Sequence, residues 1–226
     1  MYEINEMPEQ LEPSLLDKLA QAETATIGHS EFLGIANSRI VSLLPGAGSV
    51  TGTAVTLALP ALDSTLLHHC VGMLRPGDIL VIDRLGDERY ACLGGGVMHA
   101  IKQMQATAVI VDGPCADPHE MREIGLPVWG HGFSAITTRL CDVWGALNVP
   151  ISCGGAVVNP GDAVLADENG VYFGRPDKVE TVAQQAIDMQ NMEQQAWPMI
   201  KREKPIGELS GASSLVRARL DADKEN

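Results

Sequence analysis

Residues 91–118, ACLGGGVMHAIKQMQATAVIVDGPCADP, decide how this chain folds. Gly94, Gly95 and Gly96 lack a Cβ, so a ligand or another backbone can approach closely there. Val97, Met98, Ile101 and Met104 then recur at helical spacing. A loop feeding a helix start presents unpaired N–H groups and the positive end of a dipole, an arrangement that favours anions. Thr107–Val111 is a β-branched run of the kind found in strands covered on both faces. Asp112-Gly-Pro114 signals a turn, and Asp117 follows beside Pro118. The stretch therefore predicts helix, buried strand and two loops at the same sheet edge, where open α/β sheets collect ligands. One loop offers amides and the other a carboxylate, a pairing suited to a metal that holds an anionic substrate.

Outward from this stretch, strand and helix signals alternate. Leu11, Leu15, Leu16 and Leu19 predict an amphipathic helix within residues 8–26, and Thr24–His29 is read as the start of a second short helix or a turn. Val50–Leu59 reads as a strand, Asp63–Leu74 as a helix, and Ile79–Ile82 as a buried strand reached through the turn Arg75-Pro-Gly-Asp78. Leu126–Trp129, Val149–Ser152, Ala156–Val158, Ala163–Ala166 and Val171–Phe173 are further strand candidates, with a second Pro-Gly-Asp turn at 160–162. Lys178–Ile200 predicts a long helix with one solvated face. Residues 1–200 are read as a single α/β domain with an N-terminal helical extension. Residues 201–226 are read as a polar tail, with Gly207–Asn226 expected to be frayed or to fold only against a neighbour. The strand-dense second half points to a layered sandwich rather than a simple doubly wound sheet.

A formal net charge of −13 and the absence of any Lys/Arg-rich run argue against a nucleic-acid partner. Five scattered cysteines with no CxxC pair argue against a disulfide framework or structural zinc and suit a reducing compartment. No apolar run approaches the roughly 20 residues that span a bilayer, and the start of the chain does not read as a signal peptide. The expectation is a cytoplasmic protein with no membrane partner.

Gly52–Thr56, Pro76–Asp83, Gly94–Val97, Val111–Gly113 with Asp117, Gly125–Val128, Cys153–Gly155 and Pro160–Gly170 follow one another in an order that resembles the RraA-like family. That family includes class II pyruvate aldolases, which cleave 4-hydroxy-4-methyl-2-oxoglutarate and 4-carboxy-4-hydroxy-2-oxoadipate, and bacterial regulators that inhibit ribonuclease E. The resemblance implies a β/β/α swivelling-type sandwich that assembles as a homotrimer or homohexamer with sites between subunits. It implies a divalent cation, Mg²⁺ or Mn²⁺, near Asp117, and a small-molecule carboxylate substrate held by the segment Gly94, Gly95, Gly96 and Val97. The implied activity is a carbon–carbon lyase that polarises a 2-oxo acid and stabilises an enolate. The alternatives are a non-catalytic regulator of the ribonuclease E inhibitor type, or a metal enzyme of the same fold with different chemistry. Ala116 stands where the aldolases carry the substrate arginine, Gly95 where they carry an acid, and His131 where they carry a further arginine.

Weighed on the residues alone, Asp117 could simply cap a turn before Pro118. The glycine triplet could be no more than a tight strand-to-helix turn. His131, between two glycines after a strand, is a candidate for proton transfer or metal binding. His99, on the helix after the loop, could face the substrate or solvent. Adjacent His68 and His69 point to different sides of a helix and cannot chelate together. Cys115 reads as a small buried thiol more readily than as a nucleophile. Arg122 and Arg139 are the two cations that could replace the missing arginine from new directions, and each could equally be a surface charge.

Overall fold

The computed structural model describes residues 1–200 and 205–223. In chain order, β1 (Tyr2–Ile4), α1 (Pro13–Leu19), α2 (Thr24–Ile27) and β2 (Val41–Ser42) precede the central unit. That unit runs β3 (Val50–Ala58), α3 (Thr65–Cys70), β4 (Asp78–Asp83), α4 (Gly95–Gln103), β5 (Ala108–Asp112), α5 (Pro118–Ile124) and β6 (Val128–Gly130). After it come β7 (Gly145–Leu147), the hairpin β8 (Ile151–Cys153) and β9 (Ala156–Val158), and the hairpin β10 (Ala163–Ala166) and β11 (Val171–Gly174). The chain finishes with α6 (Pro176–Ile200), α7 (Ile206–Leu209) and α8 (Ala212–Ala222).

Strands β3, β4, β5 and β6 lie parallel and adjacent, each joined to the next through a helix. The outer edge of β3 is shared between partners: β10 pairs antiparallel with Val50–Thr53, and β7 with Leu57–Ala58. Alternation along the strands divides the interior. Leu80, Ile82, Val109 and Val111 pack with Leu66, Met98, Ile101 and Met121 of the three crossover helices. Ile79, Val81, Ala108 and Ile110 face the opposite way, onto Ile151, Cys153, Ala156 and Val158 of the β8–β9 hairpin. A third cluster seats α1, α2 and α6 against the β10–β11 hairpin through Leu19, Ile27, Leu165 and Val179. The result is helix, sheet and smaller sheet in layers, as the residue pattern predicts. Because β3 to β6 are buried on both faces, each Val or Ile contributes about 1.5–3 kcal/mol of transfer free energy.

One local expectation is met and one is corrected in part. The second element expected at Thr24–His29 is a short helix, α2, and Asp167 fixes its start by accepting hydrogen bonds from the Thr24 N–H (2.8 Å) and hydroxyl (2.6 Å). The segment expected to be frayed or to fold only against a neighbour carries the helices α7 and α8, so it is not frayed throughout; neither helix buries a residue, and Leu215, Val216 and Leu220 are exposed. Residues 224–226 of that segment lie outside the described residues.

The centre of the sheet leaves no room at Gly52. A Cβ built there lies 2.6 Å from the Gly77 carbonyl oxygen and 2.7 Å from Ile79 Cγ1. Since the first obstacle is backbone, Gly52→Ala is expected to cost about 1–3 kcal/mol. A urea midpoint equal to the parent protein's would contradict this packing.

Candidate functional site

Beyond the ends of β4, β5 and β6 the three loops knit into a short ladder. Ala116 N–H donates to the Leu93 carbonyl (2.8 Å), Cys115 N–H to Gly132 (2.9 Å), and Ala91 N–H to Ile136 (2.8 Å). This ladder brings the glycine loop and the acid loop side by side. Gly94, in an extended conformation, starts α4. The Gly95 N–H, which has no intrahelical acceptor, donates to Asp117 Oδ2 at 2.7 Å. A Cβ on Gly94 would sit 2.8 Å from that same oxygen, so the absence of a side chain at 94 is what lets the carboxylate in. The Gly96 and Val97 N–H groups donate to no such acceptor among the described residues, and Gly96 faces open space.

Asp117 has φ 56° and ψ 56°, the left-handed region, and precedes Pro118 at the first turn of α5. A non-glycine residue held there carries strain of the kind that collects at functional sites. Its Oδ1 has no hydrogen-bond partner among the described residues. Beside it opens a cavity of about 500 Å³, lined among others by Ala116, Glu120, Arg122, Phe133 and Thr137. Phe133 is 47% exposed and forms an apolar wall.

The remaining sequence candidates are distributed differently. Gly96 and Val97 border a smaller hollow of about 100 Å³ with His68, rather than the cavity at Asp117. His99 is exposed on α4 and does not line the cavity. His131 also lies outside it. Its Nε2 is 2.9 Å from Asp112 Oδ1, but that oxygen lies off the ring N–H direction, and Nδ1 is buried without a partner among the described residues. The pair follows from register. Asp83 and Asp112 end neighbouring strands as Cα partners, and His131 comes directly after β6 on the next strand. Asp112 Oδ2 accepts the Gly154 N–H (2.9 Å) and Asp83 Oδ2 the Ser152 N–H (3.2 Å), so both carboxylates fasten the β8–β9 hairpin to the sheet edge. Their signal in the sequence was an aspartate closing each of two buried strands. Burial pushes the Cys115 thiol well up, with neighbouring Cys92 adding to it and Arg84 opposing, so Cys115 stays protonated and unreactive.

Sequence reading also missed Arg84, which is fully buried behind the ladder. One Nη donates to the Ala61 carbonyl, while Nε and the other Nη have no partner among the described residues.

No group of three or more His, Cys, Asp or Glu side chains among the described residues is placed to cage a metal. The donor set at Asp117 is one carboxylate with one oxygen uncommitted. That fits Mg²⁺ or Mn²⁺, hard ions that keep several waters and take one or two protein carboxylates plus substrate oxygens. It does not fit a closed structural site.

Comparison with known proteins agrees with this architecture. The profile of the RraA-like family, described as Aldolase/RraA, matches residues 15–173. A Halalkalibacterium halodurans protein named "Putative 4-hydroxy-4-methyl-2-oxoglutarate aldolase" is 31% identical over 137 residues, 61% of this chain and 65% of that protein. Protein DlpA of Legionella pneumophila is 24% identical over 216 residues, 92% of this chain and 34% of that protein. The chain thus spans less than two thirds of the length of these two relatives. The crystal structure of Streptomyces coelicolor RraAS2, described as an unusual member of the RNase ES inhibitor RraA protein family, superposes with a TM-score of 0.74 at 27% identity. It covers 83% of this chain and 98% of that one. With the parallel strands, the glycine-started helix and the acid-ended loop all inside the matched span, the chain belongs to the RraA-like family.

Proposed function

We propose that this protein is a divalent-metal-dependent lyase of the aldolase or decarboxylase type, acting on a small anionic 2-oxo or hydroxy acid. The observation that carries the reading is Asp117: a strained acid, fastened by the Gly95 amide, with a free oxygen at the edge of a cavity. Asp117 would hold Mg²⁺ or Mn²⁺. When bound, the ion would polarise the 2-oxo group and offset the negative charge that grows as the carbon–carbon bond breaks. The Gly95 N–H holds Oδ2 of the carboxylate and leaves Oδ1 without a hydrogen-bond partner among the described residues. Phe133 and the buried Ala116 give the cavity an apolar side. Glu120 and His119 line the same space and could exchange a proton with substrate. Relatives whose names mention an aldolase support the carbon–carbon lyase class.

The test is turnover. Purified protein with magnesium or manganese should release pyruvate from oxaloacetate or from a 4-hydroxy-2-oxo acid, and chelation should stop it. If a broad panel of oxo acids gives no metal-dependent pyruvate, the lyase reading fails.

A further inference from the structure

Ala116 leaves the cavity without an arginine next to the metal acid, and the fold supplies one from elsewhere. Of the residues that line the cavity, Arg122 alone carries a fixed positive charge; Asp117 and Glu120 are acids and His119 is 3.7 Å from Glu123. Without Arg122 the protein side chains lining the cavity would bring acids and no fixed cation to an organic anion. We propose that Arg122 is the substrate-binding residue that holds the carboxylate of the organic acid in this cavity, in place of an arginine at position 116. This rests on the lyase reading of the site but names a residue that reading does not require.

The geometry argues for it on several counts. Arg122 lies on α5, the helix that Asp117 begins, five residues further along. Long side chains on a helix lean towards its N-terminus, and Arg122 lines the same cavity as Asp117. The guanidinium has no hydrogen bond or ion pair among the described residues, so no partner has to be broken before it takes a ligand. The Thr137 hydroxyl, also without a partner, faces the same space, whereas Ser134 Oγ is committed to the Arg89 carbonyl at 2.7 Å. The rival cation, Arg139, is excluded by its place in the chain. Its backbone is held between Leu62 and Ser64, at 2.8 and 2.9 Å, and it does not line the cavity. A planar guanidinium can grip a carboxylate through two parallel hydrogen bonds, which an ammonium cannot do.

Calorimetric titration of oxalate in the presence of Mg²⁺, and of Mg²⁺ alone, tests this directly. Arg122→Ala should weaken oxalate by about 10- to 100-fold, the worth of a charged hydrogen bond, and leave the Mg²⁺ affinity and the unfolding temperature unchanged. Arg122→Lys should recover part of the loss. Adding Ala116→Arg to Arg122→Ala should recover most of it, since both positions border one cavity. If Arg122→Ala binds oxalate like the parent while Asp117→Asn does not, the role of Arg122 is wrong and the metal site survives. If neither substitution changes binding, or the parent binds no oxalate, both readings fall together.

Discussion

Asp117→Asn is expected to lower metal-dependent turnover by about 10³-fold, roughly 4 kcal/mol of transition-state stabilisation, while the protein stays folded. The choice of asparagine matters. Its carbonyl oxygen can still accept the Gly95 N–H, and asparagine tolerates left-handed angles better than most residues, so the turn before α5 keeps its shape. What disappears is the negative charge, and a hydrated Mg²⁺ holds poorly to a neutral amide. Alanine at 117 would be a worse probe. It would orphan the Gly95 amide and place a Cβ residue with no local hydrogen bonding at φ 56°, so lost activity could reflect a misplaced loop. The two variants therefore separate chemistry from architecture: the asparagine form should match the parent in thermal unfolding, and the alanine form should not. An asparagine variant that turns over like the parent, at equal metal concentration, would remove Asp117 from the metal site.

The central unit was legible because its signals are local. Val109–Val111 sits in a short β-branched run that reads as a strand covered on both faces, and the apolar spacing from Val97 onwards reads as a helix that the glycines start. Proximity of Gly95 to Asp117 follows from the same logic, since loops leaving the ends of adjacent parallel strands must be neighbours. What was illegible depends on contacts far apart in sequence. At Thr24–His29 the sequence allowed a second short helix or a turn, and the helix is fixed by Asp167, 143 residues from Thr24. β1, β2 and β7 are two or three residues long, too short for a period to show. His131 looked available because glycines flank it, yet strand register sets it beside Asp112, on the hairpin side of the sheet. Ala116 likewise read as a lost function, because only the fold reveals which of two arginines borders the vacated space.

Asp63→Ala should be among the most destabilising single changes in the chain, by about 3–5 kcal/mol in urea unfolding. The side chain is 1% exposed and accepts hydrogen bonds from the Thr65 N–H (2.8 Å) and hydroxyl, and from the Cys141 (3.0 Å) and Val143 (2.7 Å) N–H groups. Truncation leaves those donors facing a void, and each orphaned donor costs about 1–3 kcal/mol. Burial by itself would raise the carboxyl's pKa, but the donors from Thr65, Cys141 and Val143 outweigh it and hold the group well below the usual carboxylate range. The folded value therefore lies under the unfolded one, near 3.9. The stabilisation is complete above about pH 4 and drains away as pH falls below that, because the unfolded chain then binds the proton more readily. Parent and variant should consequently differ most near neutral pH and converge in acid; a gap that stays constant down to pH 2 would refute the assignment. The effect should also reach the cavity. Residues 139–143 continue directly from the segment that carries Phe133 and Thr137, and Ser64 anchors the Arg139 carbonyl beside Asp63. Releasing that anchor frees one wall of the space in which Arg122 and Asp117 must meet a common ligand, so oxalate should bind more weakly to the Asp63 variant even where it remains folded.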